Sequence, residues 1–95
     1  RLLQDEAFTR RLRCRWDDLR SGRLSDSSLS GTWLDLVGQV AVAEVRDHER
    51  WPVIGTYVSP NYFVGQTWQE ELDWMESWLL QRVEWMDGNL YGSCD

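Results

Sequence analysis

WPVIGTYVSPNYFVGQTWQEELDWMESWLLQRVEWMD, Trp51 to Asp87, is an aromatic, turn-rich loop that runs straight into a helix carrying four tryptophans. Pro52 ends whatever precedes it, because proline lacks the amide a helix needs and restricts the residue before it. Between Pro52 and Gln66, the turn formers Gly55, Ser59, Pro60, Asn61 and Gly65 interleave with Val53, Ile54, Tyr57, Val58, Tyr62, Phe63 and Val64. That apolar content predicts a loop that packs down, since a disordered linker would be polar and poor in aromatics. A short hairpin over 53–64 is the alternative. Thr67 followed by Glu70 has the spacing of a capping box, so a helix is predicted from Trp68 to about Asp87, with Gly88 placed for a left-handed cap. At about 100° per residue, Trp68, Leu72, Met75, Leu79, Val83 and Met86 form one stripe, with Trp74, Trp78 and Trp85 in a second beside it. The first can be buried by the chain's own helices. The second leaves large indoles in water unless a neighbour outside this core covers them.

Two further helices precede the loop. Asp5 can cap one over about residues 6–21, where Phe8, Leu12, Trp16 and Leu19 recur at helical spacing before Gly22 ends it. Ser25 or Asp26 can cap another that runs to about Arg50. Its Leu29, Trp33, Leu36, Val37, Val40, Ala41 and Val45 cover a face too wide for one neighbour, which predicts a central helix. Gly31 and Gly38 inside it each cost about 1 kcal/mol relative to Ala and mark either a kink or a close helix contact. The expected fold is all-α: one three-helix domain over residues 1–95, with a long packed aromatic loop between helices 2 and 3.

A chain of 95 residues holds at most one domain and has a thin stability margin. Its net charge of −6 argues against general nucleic-acid binding, which needs clustered basic residues. The charge is uneven. Residues 1–23 hold seven Arg against four acids, whereas residues 24–95 hold three Arg against twelve. All ten basic residues are Arg, a side chain suited to bidentate carboxylate pairing and to stacking on indole. No apolar run approaches the roughly 18–20 residues that cross a bilayer, and RLLQDEAF has no signal-peptide core. With no initiator Met and a start that reads as helix, the chain is expected to be cut from something larger.

The chemistry-bearing groups are sparse. His48, in the run Arg46–Asp47–His48–Glu49–Arg50, suits proton transfer by pKa, but no nucleophile or second ligand lies near it in sequence. A His and Arg pair at the negative end of a helix dipole explains it better. Arg46 and Arg50 are expected to pair with acids such as Glu71. Glu70, Glu71, Asp73 and Glu76 are separated by helical spacing, so they read as a solvated acidic face plus Glu71 at an interface. An oxygen-ligand metal site needs more ligands converging from a loop. Seven tryptophans invite a sugar platform, but Trp16, Trp33 and Trp68 fall on inward stripes. The arginines Arg10, Arg11, Arg13, Arg15, Arg20 and Arg23 surround the first helix and read as a solvated, carboxylate-paired surface. Cys14 and Cys94 match neither a zinc site nor a redox motif. Joined, they would staple the tail to the first helix and fit an extracellular protein; the alternative is two unrelated thiols.

The succession CRWDDLRSGRLS, then EVRDHERWPVIGTYVSPNYFVGQTWQEELDWMESWLLQRVEWMD, resembles the C-terminal helical region of the spore-coat protein H (CotH) kinase family. The specific parts are Arg15-Trp16 with Leu19-Arg20, the Arg50-Trp51-Pro52 junction, Gly55-Thr56-Tyr57-Val58, the run from Pro60-Asn61 to Phe63-Val64-Gly65, and the helix from Trp78 through Arg82 to Trp85. Gly92-Ser93-Cys94 is similar to the ending of secreted bacterial members. Asp47 stands where the family has Asn, and Ser59 where it often has Trp. The resemblance implies an atypical protein kinase, secreted or on the cell or spore surface, that uses ATP and a divalent metal such as Mg²⁺ to phosphorylate Ser on coat proteins. None of the family's nucleotide- or metal-binding motifs matches a position here, so no catalytic, cofactor-binding or metal-binding residue is expected in this chain. The expected role is structural support. Its partner would be the N-terminal part of the same kinase-like domain, with surface or coat proteins as further partners and no nucleic acid or membrane. Trp74, Trp78, Trp85, Glu71 and Arg82 are the expected contact residues. The rival is an independent extracellular module that grips a protein or carbohydrate.

Overall fold

A computed structural model describes residues 1–95. The chain is all-α: a short 3-10 turn, Leu2–Gln4, precedes helices α1 (Glu6–Arg20), α2 (Asp26–Arg50) and α3 (Trp68–Asn89). No strand forms, so the hairpin alternative for residues 53–64 is excluded. The residues group into two compact units, Arg1–Ser30 with Leu80–Asp95, and Gly31–Leu79.

The first unit is organised around α1. Asp5 caps it by accepting the Phe8 amide at 2.9 Å, and Ser25 caps α2 by accepting the Ser28 amide at 3.3 Å. Trp16, Val83 and Thr9 are its buried residues. The Thr9 hydroxyl is satisfied by donating to the carbonyls of Asp5 and Glu6, each at 3.2 Å. Surface arginines of α1 pair along the helix, Arg13 with Asp17 at 3.0 Å and Arg15 with Asp18 at 3.2 Å.

The end of α3 differs from expectation. Gly88 lies within the helix, which continues to Asn89. There the Asn89 side-chain amide donates to the Trp85 carbonyl at 2.7 Å, satisfying one of the terminal acceptors that a glycine cap would otherwise have served. The left-handed backbone falls instead at Gly92, whose φ is +88°. A side chain there would collide with the Thr9 carbonyl oxygen, so glycine lets the tail lie directly against α1. Cys94, two residues on, is disulfide-bonded to Cys14 with Cα atoms 4.8 Å apart.

In the second unit the loop and the start of α3 are locked together by side chains. Thr67 accepts the Glu70 amide at 3.1 Å, as a capping box requires, but the Glu70 carboxylate reaches one residue further back, to the Gln66 amide at 2.6 Å. Glu71 accepts the Gly65 amide at 2.7 Å. The Gly55 amide donates to the Gly65 carbonyl at 3.0 Å and closes the loop's base. Packing is concentrated at this base. Gly65 is buried and Ile54, Phe63 and Val64 are half-buried, while Val53, Tyr57, Val58 and Tyr62 are exposed.

The expectation that the second helix is central is corrected: no residue of α2 is buried. Trp33, Val37, Ala41, Glu44 and His48 form its half-buried stripe at helical spacing. Leu34, Leu36, Val40, Val42 and Val45 lie outside that stripe and are exposed, Val42 at 75%. The apolar arc is thus wider than the elements packed on it can cover. Gly31 and Gly38 mark no close helix contact, since a side chain at either would meet nothing within 4 Å.

Candidate functional site

Of the expected contact residues, Trp74 and Trp78 lie in the second unit. Trp74 stacks on Phe63, ring centroids 5.2 Å apart and planes 3° from parallel, and has Tyr62 at 6.3 Å. One face of that indole is therefore covered by the chain's own loop. Trp78 is 54% exposed. Together with Trp33, Met75 and Leu79 they line an open apolar groove of about 510 Å³. On α2, Leu36 and Val40 follow Trp33 at intervals of three and four, so the apolar row extends along that helix, and both are exposed. An open apolar groove with exposed apolar residues on the same helix marks a contact region.

Trp85 and Arg82 lie in the first unit, where the guanidinium sits over the indole at 4.6 Å. Glu71 serves the loop base and not an ion pair. The proposed pairing of Arg46 and Arg50 with acids is not formed: Arg50 lies 5.4 Å over Trp51 instead, and neither arginine has a carboxylate within ion-pair distance. The physical reason is local, since Glu71 is already held by the Gly65 amide. His48 Nδ1 is 2.8 Å from Glu44 Oε1, one turn back on α2, with no nucleophile in the arrangement.

Sequence reading missed the polar centre of the first unit. Asp87 accepts the Trp16 indole N–H at 2.7 Å and the Arg20 guanidinium at 3.0 to 3.1 Å through Nε and Nη2, a two-pronged contact. Arg13 donates to the Asp87 carbonyl at 2.7 Å. Arg20 also donates to the Leu24 carbonyl and pairs with Asp26 at 3.0 Å, tying α1 to the start of α2. The Arg20 hydrogen bond holds the Asp87 carboxyl below its usual value, with the Trp16 hydrogen bond assisting and partial burial opposing. The same contact raises Arg20. A usable signal existed: Asp87 falls four residues after Val83, on the buried stripe, in a chain whose first helix is rich in Arg.

A family model described as CotH kinase protein matches residues 1–86. The chain belongs to the CotH kinase family. Neither a curated protein nor a solved structure matches it. No helix is long and apolar enough to cross a membrane.

Several carboxylates and loop amides of this CotH chain are engaged by the chain itself. No three His, Cys, Asp or Glu side chains gather as metal ligands. Glu70 and Glu71 are committed to backbone amides and Asp73 to Gln69, at 2.7 Å. A phosphate cradle needs free, convergent amides. Those of Gly55 and Gly65 are spent on the Gly65 carbonyl and on Glu71.

Proposed function

We propose that this chain is the structural C-terminal subdomain of a CotH-like atypical protein kinase and is not catalytic on its own. In this reading the N-terminal part of the same domain binds ATP and Mg²⁺ and phosphorylates Ser on surface or coat proteins. The observation that carries it is the apolar groove between Trp33 and Trp78, with its extension on α2, in a chain whose family match spans residues 1–86. Burying such surface against a second part of one domain stabilises both, at roughly 25 cal/mol per Å² of apolar area. An independent carbohydrate module is less consistent with this groove, because sugar recognition needs hydrogen-bonding groups beside the stacking rings and the lining is almost wholly apolar. The Cys14–Cys94 disulfide supports an extracellular, cell-surface or spore-surface location, where such bonds persist.

The test is phosphate transfer from radiolabelled ATP to a Ser-rich acceptor, with and without Mg²⁺. The 95-residue chain should incorporate no label above a protein-free blank, while the longer protein transfers it. Mg²⁺-dependent transfer by the short chain alone would refute the proposal.

A further inference from the structure

The groove of the second unit has a chemical character that narrows what can occupy it. Its walls, Trp33 of α2 and Trp74, Met75, Trp78 and Leu79 of α3, offer apolar contact and almost no polar atoms. On α2, Leu36 and Val40 follow Trp33 at helical spacing and are exposed, an apolar row that suits the apolar face of a helix better than a compact ligand. The charge of the same unit is one-sided. Residues 31–79 contain eight Asp and Glu against only Arg46 and Arg50, a net of −6. The other unit holds eight Arg against eight acids and is neutral, so this unit carries the whole net charge of the chain.

Four classes of occupant are distinguishable on those grounds, with nucleic acid and anionic lipid counted together as polyanions. Nucleic acid and anionic lipid are repelled by the acidic field. Sugars find almost no hydrogen-bonding partners in the lining. A second copy of the chain would bring another −6 against this one, a like-charge contact that disfavours pairing through this face. The fourth is favoured by both terms: an apolar helical stripe flanked by basic residues, whose apolar side chains meet the groove while its cations are drawn by the net negative charge of the unit.

We infer that the groove between α2 and α3 in residues 31–79 docks a cationic amphipathic helix, with Trp78 as the principal apolar contact. This deepens the reading above by giving the chemistry of the segment that covers the groove, and it rests on that reading only for the segment's origin.

Three synthetic 18-residue helical peptides test it by titration against the intrinsic tryptophan emission: one patterned with Leu and Arg, one with Leu and Glu, and one with Ser and Arg. The Leu/Arg peptide should bind and shift the emission, at least tenfold more tightly than either of the others, and should weaken as salt is raised. Trp78→Ala should weaken it at least tenfold while the far-ultraviolet circular dichroism stays unchanged; Leu36→Ser provides a second variant, on the exposed apolar row of α2. Equal affinity for the Leu/Glu or Ser/Arg peptide overturns the inference. So does unchanged binding by both variants, or sedimentation showing that the chain alone dimerises through this face. If the Leu/Arg peptide fails yet Trp78 is shielded in the longer protein, the supporting role stands and only the assigned chemistry falls.

Discussion

Reducing the Cys14–Cys94 disulfide should lower the unfolding free energy by about 4–5 kcal/mol. The bond closes a loop across a sequence separation of 80 residues, and in the chain-entropy account such a loop removes that much freedom from the unfolded state. Single domains typically have only about 5–15 kcal/mol in total, so the reduced chain should sit close to its unfolding threshold. For a chain of this length the loss corresponds to a fall in Tm of roughly 20 °C. Three apolar side chains, Trp16, Leu72 and Val83, are the buried hydrophobic core, so little else can compensate. Denaturant melts followed by circular dichroism, with and without reductant and on Cys14→Ser/Cys94→Ser, measure it. A loss below about 1 kcal/mol would mean that the tail is held by Gly92 against α1 and that the cross-link adds almost nothing.

The second large effect is expected at Asp87. Asp87→Ala leaves the Trp16 indole N–H and two nitrogens of Arg20 without their acceptor. Arg20 is the more enclosed partner, its side chain 18% exposed against 39% for Asp87. Hydrogen bonds to charged groups contribute about 1.5–3 kcal/mol each, but solvent screening at the exposed carboxylate lowers the total, and about 2 kcal/mol is expected. Adding Trp16→Phe tests the coupling, since the two losses should be less than additive.

The pH dependence has a definite sign. The folded Asp87 carboxyl is held below its ordinary value of 3.8 by Arg20, so its contribution is complete above that value and is lost as pH falls through the lower, folded one. Wild-type stability should therefore drop on acidification below about pH 4, and more steeply than that of Asp87→Ala. Equal acid slopes in the two proteins would show that Asp87 is not the linked group.

The helices were legible in the sequence because their signals are local. Asp5, Ser25 and Thr67 act through bonds to residues three positions on, and Pro52 stands two residues after the end of α2. The resemblance to the CotH family was legible for the same reason, in short runs such as Arg50-Trp51-Pro52. What sequence reading missed is set by partners far apart in the chain. Asp87 meets Trp16 and Arg20 across 71 and 67 residues, and no periodicity encodes that choice. Gly88 looked like a helix cap, but Asn89 supplies the end of α3. Arg46 and Arg50 looked paired because acids were plentiful, yet Glu71 is spent on Gly65. For α2 the apolar breadth was read correctly and its cause was not. The width reflects surface left uncovered, as at Val42 and Leu36, and not a position at the centre.

The proposed supporting role is tested most directly by hydroxyl-radical footprinting of Trp78 in the 95-residue chain and in the longer protein that the proposal requires. In the short chain Trp78 should be readily oxidised, as its 54% exposure requires. In the longer protein it should be protected severalfold, together with Leu36 and Val40, while exposed Tyr62 on the loop serves as an internal reference. Equal oxidation of Trp78 in both would contradict the account, because the apolar groove would then remain open in the longer protein as well.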